Sequence, residues 1–441
     1  MSLRSIAEVS ALIRRREVSP VELVQECLAC IERLNPTLNA FITVMAESAL
    51  AAAAHAEKEI QSGSWRGPLH GVPIGLKDLI DTAGVRTTAA SAVFKNRVPT
   101  EDADVVKRLK AAGAIIIGKQ NLHEFAYGGS SLVSHFGPVR NSVNPEFIAG
   151  GSSGGSVAAV GSAMCYAAIG TDTAGSIREP AALCGLVGLK PTYDLVSTHG
   201  IIPLSKSLDH AGPITRCVED AALVLNAITE KKDSGASLNQ GIADFVIGIP
   251  RKFFFDDFDN EVASAVERAI TQLAKLGATV RDIELPVNND RTLQSYESYQ
   301  FHREMAAATP ELYQPETLRR ITSGEGVAQA QYQLALRELQ KTRAEIAESL
   351  REIDAVVTPT TPVPAPRISD LMEDPALLRP AELLLLRNTR PVNVWGLPAI
   401  SVPCGCTSAG LPIGLQIIGR NREEAKVLRA AYAFEQAAKS I

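Results

Sequence analysis

Residues 150–193, GGSSGGSVAAVGSAMCYAAIGTDTAGSIREPAALCGLVGLKPTY, contain two glycine-rich turns that each carry serine, separated by a segment of small and apolar residues with almost no charge. Small residues let backbone approach backbone, and glycine adopts dihedrals that other residues avoid. Each turn can therefore aim its N–H groups inward and cradle something negative. Three anions fit that description: a phosphate, a bound carboxylate, or the oxyanion that forms when a serine attacks a carbonyl.

The first turn, residues 150–156, runs into SVAAVGSAM, which reads as a buried helix whose N-terminus faces the serines. A phosphate-binding P-loop needs a lysine followed by Ser or Thr at the end of the turn, and no lysine is present there. The same turn matches the G-x-S-x-G pattern of a nucleophile elbow with Ser153 at its centre, and such a serine would need a histidine, His210 or His199. An elbow is entered from a strand, however, and residues 140–146 are turn formers.

The second turn, residues 170–180 (GTDTAGSIREP), follows the apolar run 165–169. A serine at its end, Ser176, can attack a carbonyl while the N–H groups just before it hold the oxyanion, although a tight turn with a capping serine has the same appearance. A third stretch, residues 71–81, places a lone lysine, Lys77, in an apolar strand-like run. A buried ammonium is costly unless paired or neutralised, and Asp78 and Asp81 are the nearby partners. Alternatively, a neutral lysine can serve the serines as base. That role needs the usual pKa of about 10.4 lowered by roughly three units, which an apolar pocket can supply.

Together these three stretches resemble the amidase signature family, hydrolases with a Ser-cisSer-Lys triad. The resemblance runs from the Ser-Pro-Val-Glu-Leu helix start at Ser19 to the Gly-Leu-Gln-Ile-Ile-Gly segment at 414–419 and is densest over residues 170–193. It implies Ser176 as nucleophile, Ser152 as a bridging serine on a cis peptide bond, and Lys77 as base. It implies an oxyanion hole from the N–H groups of Thr173, Ala174, Gly175 and Ser176, braced by Ser153, Asp172 and Arg178. The stretch Phe125, Ala126, Tyr127 and Gly128 is expected to border the substrate. The expected reaction is hydrolysis of an amide carbon–nitrogen bond through an acyl-enzyme, on an aryl or alkyl amide, a carbamate or a urea-like compound, without cofactor or metal.

Departures from the family pattern bear on the substrate. Members that hydrolyse glutamine within a tRNA-dependent amidotransferase carry Arg-Tyr-Gly after the signature and a carboxylate before a Pro-x-Asn motif. Here the corresponding stretches read STHG at 197–200 and LLLLRNTRP at 383–391. A leucine cannot pair with the α-ammonium of glutamine, and the chain ends soon after its closing helix. A stand-alone amidase is therefore expected. The alternatives are the glutamine-hydrolysing amidotransferase component and a non-catalytic binding homologue. Ala174 stands where glycine is commonest and Glu179 where glutamine is usual; Glu179 lies beside Arg178 and can pair with it.

Composition agrees with an enzyme of small molecules. Apolar residues make up 46% and charged residues 21%, and the net charge of −5 offers no nucleic-acid surface. The seven cysteines, in largely apolar contexts, read as reduced thiols, with Cys27-x-x-Cys30 inside a helical pattern. No signal peptide or eighteen-residue apolar run is present, so the expected setting is the cytoplasm, with no membrane partner, as a monomer or homodimer. His123 and Glu124 could begin a metal site, but no third and fourth ligand follow at suitable spacing, and a histidine bonded within the fold is expected.

The remaining pattern predicts the fold class: α/β, one large α/β/α layered domain over residues 1–441, with a signature core at about 70–215 and a mixed, mostly parallel twisted sheet. Ser19 and Glu22 form a capping box ahead of an amphipathic helix. Helices at 46–61, 104–112, 262–276, 325–351 and 422–438 and strands at 114–118, 245–250, 278–285, 354–359, 399–403 and 413–418 follow from periodicity and glycine stops. The polar segment 231–241 is expected to cross the surface within that domain.

Overall fold

A computed structural model describes residues 4–229 and 234–439. Eleven strands form one sheet: β1 (Phe41–Val44), β2 (Pro73–Lys77), β3 (Ile115–Gln120), β4 (Ala167–Asp172), β5 (Val187–Lys190), β6 (His210–Thr215), β7 (Val246–Ile249), β8 (Thr279–Asp282), β9 (Ala355–Pro359), β10 (Ala399–Cys406) and β11 (Pro412–Ile418). Their spatial order is β1-β3-β2-β4-β6-β5-β10-β11-β9-β7-β8. Helices cover both faces, as the α/β expectation requires.

Local chemistry explains why these residues form these elements. Ser19 Oγ accepts the Val21 N–H while Glu22 accepts the Ser19 N–H, so the helix Pro20–Leu38 starts on a closed capping box. The helices Asp104–Ala111 and Asn260–Lys275 each run out at a left-handed glycine, Gly113 (φ +81°) and Gly277 (φ +97°), and a strand begins within two residues. In β3 the side chains alternate between two cores: Ile115 and Ile117 pack with the helix Gly154–Gly161, and Ile116 packs with Ile74 and Leu76 on the other face.

Two sheet expectations need correction. Of the ten strand contacts, four are parallel (β3–β2, β2–β4, β9–β7, β7–β8) and six antiparallel, so the sheet is mixed without a parallel majority. The antiparallel excess comes from the middle, where β6, β5, β10 and β11 run side by side and β10–β11 is a hairpin. The predicted strand at 278–285 is only Thr279–Asp282 and mostly exposed, at the edge of the sheet. Of the polar segment 231–241, residues 231–233 lie outside the described residues, and Leu238–Gln240 is a short 3₁₀ turn.

Candidate active site

β2 and β4 are parallel neighbours, and their carboxyl ends bring Lys77 beside Thr171. Lys77 Nζ stands 2.7 Å from Ser152 Oγ and 2.8 Å from Thr171 Oγ1, and its side chain has no exposed surface. The two nearby carboxylates are taken elsewhere: Asp78 lies 3.5 Å from Lys119, and Asp81 is 2.6 Å from Arg97. Burial lowers the Lys77 pKa from 10.5 to about 7, against the opposing pull of Asp172 and Asp209. The sequence admits an ion-paired lysine and a neutral one; among the described residues no carboxylate pairs with Lys77.

The first turn wraps the hydroxyl that faces this amine. The Gly151–Ser152 peptide is cis. The Ser152 carbonyl accepts the His123 N–H at 3.1 Å, and Gly154 N–H donates to Ser131 Oγ at 3.2 Å. Gly151 N–H donates to Glu179 at 2.8 Å. Glu179 therefore does not pair with Arg178 as expected; burial pushes its carboxyl well up in pKa, against the Gly151 hydrogen bond. Gly155 must be glycine, since a Cβ there would sit 2.3 Å from the Asn121 carbonyl oxygen.

β4 feeds the second turn directly, which the helix Arg178–Leu183 closes. Asp172, at the end of β4, organises it: its carboxylate accepts Gly175 N–H at 2.8 Å, Ile177 N–H at 3.2 Å, and Arg178 in a fork at 2.9 and 3.0 Å. Burial alone would raise the Asp172 pKa, but the Arg178 guanidinium holds it well below the usual carboxylate range. Arg178 is in turn fixed by Gln416 (2.6 Å) and Asn393 (2.7 Å). Among the described residues no acceptor takes the N–H of Thr173, Ala174 or Ser176, all three buried. Buried donors without partners are rare, and three in one turn make a site for negative charge. The expected fourth donor, Gly175, is already committed to Asp172.

Ser176 joins the two turns: its carbonyl accepts the Ser153 N–H at 3.3 Å. Ser153 Oγ donates to the Thr171 carbonyl at 3.2 Å and bonds no histidine. His210 faces the Asp172 and Leu208 carbonyls, and His199 is exposed beside Asp104, so the nucleophile-elbow reading finds no base. His123 is bonded within the fold, to Ser130 and Glu382 at 3.4 Å each.

The predicted substrate stretch divides. Ala126 lines a cavity of about 510 Å³ together with Thr171, Thr173, Asp209 and Phe301. Tyr127 lines a separate cavity of about 170 Å³. Phe125 instead packs edge-on against His302, 4.4 Å between centroids, and against Phe94, and the α-carbon of Gly128 abuts the His123 ring; these two face protein. Phe125 and Ala126 hold φ of 51° and 59°, a left-handed pair of non-glycine residues such as strained functional segments contain. Sequence reasoning missed Thr171 and Asp209, which accepts the Thr173 hydroxyl at 2.6 Å, and Thr389, which donates to the Ala174 carbonyl at 2.7 Å. Isolated threonines and an aspartate carry no motif. Among the described residues no group of three or more His, Cys, Asp or Glu is placed to hold a metal.

The description "Amidase" is that of the family model matching residues 22–428. The chain belongs to the Amidase family. Its amidase relatives include a glutamyl-tRNA(Gln) amidotransferase subunit of Geobacter metallireducens, 40% identical over 98% of this chain and 97% of that protein. The peptide amidase of Stenotrophomonas maltophilia superposes with a TM-score of 0.86 at 32% identity, covering 99% of this chain and 97% of that one. The corresponding glutamyl-tRNA(Gln) amidotransferase subunit of Thermotoga maritima gives 0.75 at 36% identity, with 95% and 91% covered. As an amidase, the chain is an enzyme that cleaves amide carbon–nitrogen bonds.

Proposed function

We propose that this amidase acts through an acyl-enzyme on Ser176, with Ser152 as proton relay and Lys77 as base. The observation that carries the reading is the buried Lys77 amine, with a pKa near 7, at 2.7 Å from Ser152 Oγ. When neutral, its lone pair takes the Ser152 proton as Ser152 takes that of Ser176, and Ser176 Oγ attacks the amide carbon. The oxyanion rests on the N–H groups of Thr173, Ala174 and Ser176, donors typically worth about 2.7–4 kcal/mol each. The lysine, now protonated, returns the proton through Ser152 to the leaving nitrogen as the carbon–nitrogen bond breaks. Water then attacks the acyl-enzyme by the same route and frees the acid. Ser153, Asp172 and Arg178 hold the turns.

Two substrate readings share this chemistry. The name of the Geobacter relative supports a chain working as a subunit of a glutamyl-tRNA(Gln) amidotransferase, for which the family resemblance implies glutamine as the amide hydrolysed; the sequence comparison weighs toward this reading. The leucine at 386 supports a stand-alone amidase on an alkyl or aryl amide, carbamate or urea-like compound. Leu386, buried, lies against both the oxyanion-turn Gly175 and Gly129, and offers no carboxylate to an α-ammonium.

A serine-reactive phosphonate should label Ser176 in the wild type, and Ser176→Ala should abolish the label; a label on Ser153 would overturn the mechanism. Turnover of a panel of p-nitroanilide, carbamate, primary amide and glutamine separates the substrates. Ammonia released from glutamine alone selects the amidotransferase reading, and turnover of the other amides selects the stand-alone enzyme.

A further inference from the structure

The cavity of about 170 Å³ behind Tyr127 is lined by four arginines, Arg291, Arg319, Arg320 and Arg379, with Gln294. Two carboxylates answer them. Glu316 lies 2.7 Å from Arg319 and 2.9 Å from Arg320, and Glu382 lies 2.8 Å from Arg320 and 3.7 Å from Arg379. Arg291 has no ion pair and no side-chain hydrogen bond among the described residues. The nearby Asp290 carboxylate is turned to the N–H and hydroxyl of Thr292. A fifth arginine, Arg390, is buried behind Gln294, donating to its Oε1 at 3.1 Å, and among the described residues its Nε has no partner.

A guanidinium does not shed its proton in a protein, so the surplus positive charge has to be answered by something bound or by solvent. Planar forks in a small enclosure match the oxygens of a carboxylate or phosphate, and about 170 Å³ admits such a group but not a nucleotide. The cavity also adjoins the reaction centre along the chain: Tyr127 lines it, while the preceding residue, Ala126, lines the larger cavity that reaches Thr171 and Thr173. Arg320 donates to the Tyr127 carbonyl at 2.5 Å, so an occupant of the arginine cavity acts on the segment that walls the substrate.

We propose that this cavity is a site for a small oxyanion, a carboxylate or phosphate group held by Arg291 and Arg379, carried either on the amide substrate or on a separate small molecule. The substrate-borne case rests on the amidase reading above; the binding itself does not.

The test uses the full chain, Arg291→Gln and Arg379→Gln, each checked for native circular dichroism. The first arm is thermal melting in inorganic phosphate against chloride of equal ionic strength. The second is the ratio of kcat/KM for a series of ω-carboxyalkanamides to that for the matching alkanamides. A separate-molecule site predicts that phosphate raises the melting temperature of the wild type and not of either variant, with no preference for the acidic amides. A substrate-borne group predicts a preference for one length of acidic amide that falls about tenfold or more in each variant. Melting that does not respond to phosphate, together with no preference for acidic amides, would overturn the proposal. Because melting needs no turnover, a failure of the amidase reading leaves the first arm decisive.

Discussion

Thr171 Oγ1 accepts a hydrogen bond from Lys77 Nζ at 2.8 Å across the β2–β4 pair, so the candidate base is aimed by a residue that no motif announces. The lysine thus has two hydroxyl partners and, among the described residues, no carboxylate within ion-pair distance.

That environment sets the pH dependence. With a folded-state pKa near 7, Lys77 is charged and inactive as a base at lower pH. The rate should rise about tenfold per unit below pH 7 and level off above it. Because the unfolded chain keeps the proton up to about pH 10.4, stability should also climb between those two values, by at most about 1.4 kcal/mol per unit. A pH series of kcat/KM and of denaturant midpoints measures both; Lys77→Met should remove the activity and the stability slope together.

Thr171→Val keeps the shape and deletes the hydroxyl. That hydroxyl favours the charged amine more than the neutral one, so its loss should shift the acid limb to lower pH. Meanwhile kcat falls about tenfold because the amine is no longer aimed at Ser152. A pH–rate profile of the variant reads both effects, and an unmoved limb with unchanged kcat would refute the aiming role.

The pair Asp172–Arg178 has no exposure on either side chain. Arg178→Met should leave a buried carboxylate unpaired and cost about 3–5 kcal/mol, whereas the double variant with Asp172→Asn should recover part of that loss. Urea unfolding of the three proteins gives the comparison.

Gly175 has φ of +134°, and a Cβ there would lie 2.0 Å from Thr389 Oγ1. Gly175→Ala must push the proposed oxyanion turn off Thr389. The expected result is a loss of about a hundredfold in kcat, with KM changed less, measured on whichever amide the panel identifies.

Much of the site was legible in the chain because its chemistry is local. Glycine spacing around Ser152 and Ser176 and the charge at Lys77 in an apolar run are features of single short stretches. What could not be read is what depends on residues far apart in the chain. Asn393 and Gln416 meet Arg178 across more than 200 positions, and whether Phe125 faced substrate or an aromatic cluster was decided by His302 and Tyr313. The helix-then-strand units were visible from their glycine stops, but direction within the sheet was not. Short apolar strands such as β5 and β6 look the same whether their neighbours run with them or against them.

Arg178 is held locally by the Asp172 fork, and its remaining bonds form only when β11 delivers Gln416 and the segment before β10 delivers Asn393. Ser152, Ser176 and Lys77 leave the ribosome long before either. A fragment clipped ahead of the final hairpin would carry the candidate triad Lys77, Ser152 and Ser176 with Arg178 held by Asp172 and Asn393 but without Gln416, so the bracing of the second turn is completed only by the hairpin.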